Sequence, residues 1–477
     1  MNQRILAKTT CSLLALVGLW FTPEAGSANS SAKPNIVLFL ADDLGWTGLQ
    51  CFGSDFYETP NLDRLAGEGM KFTDAYAACT VCSPTRASLM TGMYPGRLHL
   101  TSFIPGQNRP FAKMKVPDWT KGLDSEYTTI AEALHGGGYR TIHVGKWHLN
   151  FPGETVDPTT HGFDFSADKP PGTRGYYLSK KSVKELGKET NYLTDHLADL
   201  AVEQISESSG EPFFLYFAFH VPHTPIQGRD DLVEQFQKGV NANAIHNNPT
   251  YAAMVKSMDL AVGRVLDSLE AQGIADDTLV IFTSDNGGLT QRYGKHDNFT
   301  ENLPLRRGKG SAYEGGVRVP TIIKWPGITE PGSTCDEPIM SIDFYPTLLK
   351  IAGVEGNAGH NGSMDGVNIT PLLRNPDALL DRDLFWHFPH YHAGGDSPYS
   401  AIRSKDWRLV EFHEDGSLEL YNLSDDLGER QNLATTNQKI AGDLHKKLKQ
   451  WRIEVGAQMP VDNPGFDPTK ATQTAKK

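Results

Sequence analysis

Cysteine is scarce: five in 477 residues. Cys11 lies in an N-terminal leader described below, which leaves Cys51, Cys79, Cys82 and Cys335. Four thiols in so long a chain exclude a disulfide-stapled scaffold. Cys79-Thr80-Val81-Cys82 has CxxC spacing, but a zinc site would need the distant Cys51 and Cys335. A redox pair would have to open a helix straight after a strand in a small thioredoxin-like unit, so neither zinc nor redox chemistry is expected. Long apolar runs are missing beyond Phe21, and no transmembrane segment is expected in the mature chain. Positive charge is short too, with 45 Lys+Arg against 57 Asp+Glu, a net charge of −12. That balance offers no counterion release on a polyanion, so no nucleic-acid partner is expected. An anionic substrate would need a local basic pocket inside the acidic shell. There is no HExxH, EF-hand spacing, P-loop or GxGxxG opening a helix after a strand, and no GxSxG elbow.

What is present begins with an export signal. Met1–Thr10 carries Arg4 and Lys8 without an acid, Cys11–Phe21 is apolar, and small residues Gly26 and Ala28 precede Asn29. Basic, apolar, small is the order of a cleaved secretory leader, so residues 1–28 are expected to direct the chain to the periplasm or outside the cell. The remainder, with 39% hydrophobic and 21% charged residues in the whole chain, is ordinary globular composition.

Asn35–Ala41, Thr141–Gly145, Pro212–Phe219 and Thr278–Thr283 are nearly continuous apolar runs, the pattern of strands covered on both faces. Helical patterns alternate with them at Thr128–Leu134, Thr194–Ser208 and Tyr251–Gln272. The alternation predicts an α/β fold with a large, mainly parallel sheet sandwiched by helices, over residues 33–375. After Gly353 the pattern weakens. Ala401–Phe412 and Ser417–Leu423 read as short antiparallel strands and Lys439–Gly456 as a closing helix. Together they predict a small C-terminal α+β subdomain over residues 381–457. Residues 460–477 are polar and expected to be disordered.

Each principal strand ends in polar residues: Asp42-Asp43, Lys146-Trp147-His148, His220-Val221-Pro222-His223 and Asp285-Asn286. Ligands of open α/β sheets bind beyond the carboxyl ends of their strands, so one rim receives carboxylates, an amide, a lysine and histidines. Oxygen donors suit a hard cation such as Ca²⁺ or Mg²⁺. A nucleophile is offered by Cys82-Ser83-Pro84-Thr85-Arg86, where Pro84 suits a first helical turn and Arg86 is close. A soft thiolate beside an all-oxygen cation site is an odd pairing, and these residues alone leave it open.

The run from Cys82 through Arg86 to Met90-Thr91-Gly92 resembles the C-x-P-x-R signature of type I, formylglycine-dependent sulfatases, arylsulfatase-like members of the alkaline-phosphatase-like superfamily. Further blocks resemble the family in order: Pro34–Val37 through Asp43, Gly145–His148, Pro222–Pro225, Ser284–Gly288, Gly308–Gly310 through Tyr313–Gly316, Ser341–Asp343, Leu420–Leu423 and Gly428-Glu429. Coverage is about residues 33–455. Met90 stands for leucine and Arg307 for a smaller residue.

The resemblance implies that a maturation enzyme converts Cys82 to formylglycine (3-oxoalanine), whose hydrate is an oxygen ligand and removes the mismatch. It implies one ion, usually Ca²⁺ with Mg²⁺ second, held by Asp42, Asp43, Asp285, Asn286 and the modified Cys82. Arg86, Lys146 and Lys309 would neutralise the sulfuryl oxygens. His223, with Lys309, would protonate the leaving alkoxide, and His148 would assist sulfate release. The expected substrate is a sulfated small molecule or glycan, with a sulfated carbohydrate foremost. His387, His390, His392 and Arg403 either line its sugar site or pack the subdomain. The alternatives are a phosphodiester or phosphonate monoester hydrolase of the same superfamily, whose members typically carry Asp-His at 285–286, and a non-catalytic binder of sulfated glycans.

Overall fold

In the computed structural model, Asn35–Ala41 is a central strand with Phe213–Ala218 parallel on one side and Thr278–Ser284 parallel on the other. The structure describes residues 33–151, 153, 158–187, 190–241, 243–290, 299–395 and 397–474, so the expected leader lies outside the described residues. Arg140–Gly145 and then Phe165–Ala167 extend the sheet in parallel beyond Phe213–Ala218. On the opposite side Thr321–Lys324 runs antiparallel to Thr278–Ser284, followed by Met70–Phe72 and Ser333–Cys335, which makes eight strands. The expected large, mainly parallel sheet is present. The four strands legible in the sequence are the long buried ones; the other four are only three or four residues long and too short to register as periodicity.

Period-two geometry makes the central strand build two cores at once. Val37, Phe39 and Ala41 face the helices Leu193–Glu207 and Pro249–Ala271, while Ile36, Leu38 and Leu40 face Cys82–Thr91, Ile130–Gly136 and Phe344–Ala352. The Ile130 helix starts on a capping box between Thr129 and Glu132.

Toward the C-terminus, Asp383–Phe388, Tyr399–Ser404, Trp407–Phe412 and Leu418–Asn422 form an antiparallel sheet, covered by the helix Gln438–Glu454. Lys405, at φ 54°, turns the chain inside the span that reads as one strand region. The core under this sheet is shared. Trp386, Leu409 and Trp451 pack with Tyr76, Val81 and Val317, so its apolar face is completed by the segment that leads into the Cys82 helix. Residues 460–474 are not the disordered tail expected from their polarity. Val461–Asp462 pairs with Met114–Lys115, and the Asn463 amide donates to the carbonyls of Pro110 and Ala112. Backbone pairing, to which hydropathy is blind, holds this segment. None of the described helices is long and apolar enough to cross a membrane.

Candidate active site

Most of the strand-end residues gather in one cluster, and Asp43, His148 and His223 among them line a pocket. Asp42 and Asp43 follow the central strand directly, and Asp43 sits at φ 67°, an uncommon conformation for a non-glycine residue. It is held there from both sides: its N–H donates to Asp285 Oδ1 at 3.1 Å and its carbonyl accepts from Tyr251 Oη at 3.1 Å. Gly145 ends its strand at φ 102°, where an added Cβ would lie 2.0 Å from the Ala218 carbonyl oxygen. This close approach lets the chain turn Lys146 and His148 into the site.

Cys82 opens the helix Cys82–Thr91, all of whose residues are buried, and Pro84 lies in its first turn as expected. The Cys82 thiol lies 3.3 Å from His148 Nδ1. His148 Nε2 is 2.8 Å from the Ile104 carbonyl, which can only accept, so the ring proton is on Nε2 and Nδ1 presents its lone pair to Sγ. Burial, reinforced by Lys146, holds His148 well below the usual imidazole range and therefore neutral. Burial also raises the Cys82 thiol, against the pull of Lys146 and Lys309.

Charges alternate around this centre. Lys146 Nζ lies 2.6 Å from Asp42 Oδ2, and Lys309 Nζ lies 2.6 and 2.9 Å from the two oxygens of Asp43. Arg86 is fully buried, donating to Asp285 Oδ2 from Nε and Nη2 at 3.0 and 2.7 Å and to the Lys146 carbonyl at 2.8 Å. His223 Nε2 is 3.7 Å from Asp43 Oδ2, and its Nδ1 donates to the Thr224 carbonyl at 2.7 Å. For Asp42 and Asp43, burial works against ionisation, but the surrounding cations outweigh it and both stay below the usual carboxylate range. Burial pushes Asp285 up to about 6 against the pull of Arg86 and Lys146, and the charges of Asp42 and Asp43 add to the rise.

A cation fits this donor set. Asp42 Oδ1 and Asn286 Oδ1 are buried and lack hydrogen-bond partners, both are hard oxygen donors, and Asp43 and Asp285 stand beside them. Buried polar atoms are rarely left unpaired, so two orphan oxygens in one carboxylate cluster point to an oxygen-seeking ion. Asp42, Asp43 and His223 also have potential ligand atoms within 4.8 Å of one another.

The pocket has a volume of about 470 Å³ and brings together Asp43, Cys82, His148, His223, Lys309 and His392. His392 reaches it because Gly310, at φ 85°, has no Cβ; one there would sit 2.0 Å from His392 Nδ1. The other candidates for a sugar site lie elsewhere. His387 bonds Ser400 and the Gln458 carbonyl, His390 bonds Thr101, and Arg403 pairs with Asp74 and bonds Tyr76. All three are buried supports. His220 turns to Asp168 at 2.5 Å. Phe103, Ile104, Gln107 and Leu289 line the pocket, and sequence reasoning misses all four. They sit in irregular segments, where only the Pro105-Gly106 turn dipeptide carries any signal.

Cys79 is a buried free thiol in the core beneath the C-terminal sheet and is not a pocket residue. Cys79→Ser is therefore expected to leave turnover within about threefold while costing on the order of 1 kcal/mol for a buried hydroxyl. Initial rates and denaturant unfolding of the same preparation check both.

The profile of the family described as Sulfatase matches residues 34–354. The chain belongs to the sulfatase family. A second profile, N-sulphoglucosamine sulphohydrolase, C-terminal, matches residues 308–454. A Formosa agariphila protein named Sulfatase is 34% identical, with 94% of each chain covered. Human arylsulfatase A is 32% identical over 88% of this chain and 87% of its own. The crystal structure of Ps i-CgsB in complex with k-i-k-neocarrahexaose superposes with a TM-score of 0.75 at 29% identity, covering 92% of this chain and 96% of that one. This sulfatase is a sulfuric ester hydrolase, and its family generally uses a formylglycine and a divalent metal ion.

Proposed function

We propose that this sulfatase removes sulfate from sulfated carbohydrates, using formylglycine generated from Cys82 by a maturation enzyme and one Ca²⁺ ion, with Mg²⁺ the lesser candidate. The observation that carries the reading is the Cys82 side chain, buried 3.3 Å from a neutral His148 and flanked by Lys146 and Lys309. Bound together, formylglycine would supply as its hydrate the attacking and releasing hydroxyls, and the cation would polarise the sulfuryl oxygens. Asp42, Asp43, Asp285 and Asn286 would hold the ion, with residue 82 completing the shell.

The remaining roles belong to this chain's own groups. Arg86 fixes Asp285 and adds positive charge behind the site. Lys146 and Lys309 bind the anionic ester and offset charge developing on its oxygens. His148, its tautomer fixed by Ile104, accepts a proton at Nδ1 from the group at position 82. His223, oriented by the Thr224 carbonyl, donates from Nε2 to the departing alcohol when protonated, with Lys309 the neighbouring donor. The neutral amide of Asn286 favours one hard cation over the paired zinc of the phosphodiesterase relatives. Carbohydrate as substrate is supported by the similar Ps i-CgsB structure, a complex with k-i-k-neocarrahexaose. We further propose residues 33–375 and 381–457 as catalytic domain and C-terminal subdomain, and export through residues 1–28.

Mass spectrometry of the tryptic peptide Phe72–Arg86, from protein co-expressed with a formylglycine-generating enzyme, tests the reading. The expected result is a thiol-to-aldehyde mass change at Cys82. A wholly unmodified thiol, under conditions that convert a control sulfatase, would sink the catalytic proposal and favour the glycan-binding alternative.

A further inference from the structure

The catalytic pocket shares its Gly106–Gln107 wall with a second, larger depression of about 1360 Å³. That exceeds the roughly 300–1,000 Å³ of a pocket for one small ligand. Its charge runs against that of the chain. Arg109, Lys115 and Lys121 face Asp118 as the only lining carboxylate among the described residues, so the lining carries 3 − 1 = +2 in a chain of net charge −12. A positive groove in an acidic surface concentrates polyanions at that place.

Two polar side chains at the mouth are built but incompletely paired. Arg109 donates from Nη2 to the His392 carbonyl at 3.1 Å and lies 5.5 Å from the Tyr391 ring, yet it pairs with no carboxylate among the described residues, and its buried Nε has no partner. Gln107 Oε1 is likewise buried and unpartnered, on the wall common to both cavities. Beyond them stands Trp119, half-buried, its ring braced edge-on against His390 and within 5.8 Å of Lys121 Nζ. Gly106 lies against the same ring: a Cβ there would come within 2.7 Å of it. A braced indole is a rigid apolar platform, suited to the C–H face of a sugar ring.

We propose that this groove binds the continuation of a multiply sulfated oligosaccharide beside the unit being desulfated, with Arg109 holding a further sulfate and Trp119 stacking on a sugar. The inference rests on the sulfatase reading of the Cys82 pocket and deepens it: the substrate is an extended polyanionic glycan, not an isolated sulfated monosaccharide.

Calorimetric titration of the matured protein with dextran sulfate oligomers, a disaccharide against an octasaccharide, tests it. The octasaccharide is expected to bind at least about tenfold tighter. Arg109→Gln should bring the ratio of the two dissociation constants close to one, as losing a hydrogen bond to a charged group would do, and Trp119→Ala should lower it through the lost stacking surface. Because Arg109 is packed against Tyr391 and could be needed for folding, the exposed pair Lys115→Gln/Lys121→Gln serves as a second probe, expected to lower the ratio in part. Equal affinity for both lengths, or a ratio unchanged in every folded variant, would overturn the groove. Sulfate release from 4-nitrophenyl sulfate, run in parallel, separates the two readings. Its absence from protein with converted Cys82 counts against the sulfatase centre, while the length dependence still decides the groove.

Discussion

Cys82→Ala is expected to lower aryl sulfate turnover by on the order of 10⁴-fold or more, the scale on which enzymes lose a covalent nucleophile. The fold should tolerate the change. Cys82 is the first residue of a helix and alanine is the best helix former, so the unfolding transition should move by about 1 kcal/mol or less. Cys82→Ser separates two explanations of the loss. A serine offers one hydroxyl where the hydrated aldehyde offers two, so it has an oxygen for attack but none left to release sulfate. It should give at most one turnover per active site, visible as a burst without a steady state. Sustained turnover by Cys82→Ala would show that residue 82 is not the nucleophile.

Arg408→Leu should produce the largest loss of stability, about 3–5 kcal/mol, because removing one partner of a buried ion cluster leaves uncompensated charge. Arg408 is fully buried, 3.1 Å from Glu314 and 3.3 Å from Glu429, and donates to the Ala312 carbonyl at 2.8 Å. Its guanidinium lies 4.6 Å from the Trp386 ring. The Glu314 N–H donates to Glu429 at 2.7 Å and Glu314 keeps Arg318 at 3.3 Å, so both carboxylates would remain in place while Glu429 loses the cation it pairs with. Burial already pushes Glu429 up to about 8, against the pull of Arg408. A carboxyl raised on folding contributes stability that is complete below its unfolded value and is lost as pH rises through its folded one. The deficit of Arg408→Leu should therefore be smaller near pH 5 than near pH 9, since protonation of Glu429 removes the repulsion with Glu314. Denaturant unfolding of both proteins at the two pH values checks magnitude and sign; a deficit that grows toward acid would contradict the charge account.

The long elements and the rim are legible in the sequence for the same reason. Asn35–Ala41 and Thr278–Ser284 are covered on both faces, so their apolar runs stand out, and whatever polar residue ends such a run lies at the sheet's edge. Asp42, Lys146 and Asp285 stand out that way. Arg403 does not, because its partner Asp74 lies 329 residues away, and no local pattern reveals a pairing of that separation. The same limit hides the loop from Phe103 to Arg109. It has no period, and its importance arises only when folding sets it against His148 on one side and Trp119 on the other.

The burial of the Cys82 helix also has a consequence in time. On the formylglycine reading, another enzyme must reach a side chain that is only 2% exposed once the protein is folded. The segment that leads into it, from Tyr76 to Val81, is covered by side chains from Leu384 to Leu420, which emerge some three hundred residues later during synthesis. On the same reading oxidation would come while residues 79–86 are still extended, and the late strands would then close over a finished catalytic group. The fold would thus act as a deadline for its own maturation: a chain that folded before oxidation would carry an unconverted thiol into its pocket.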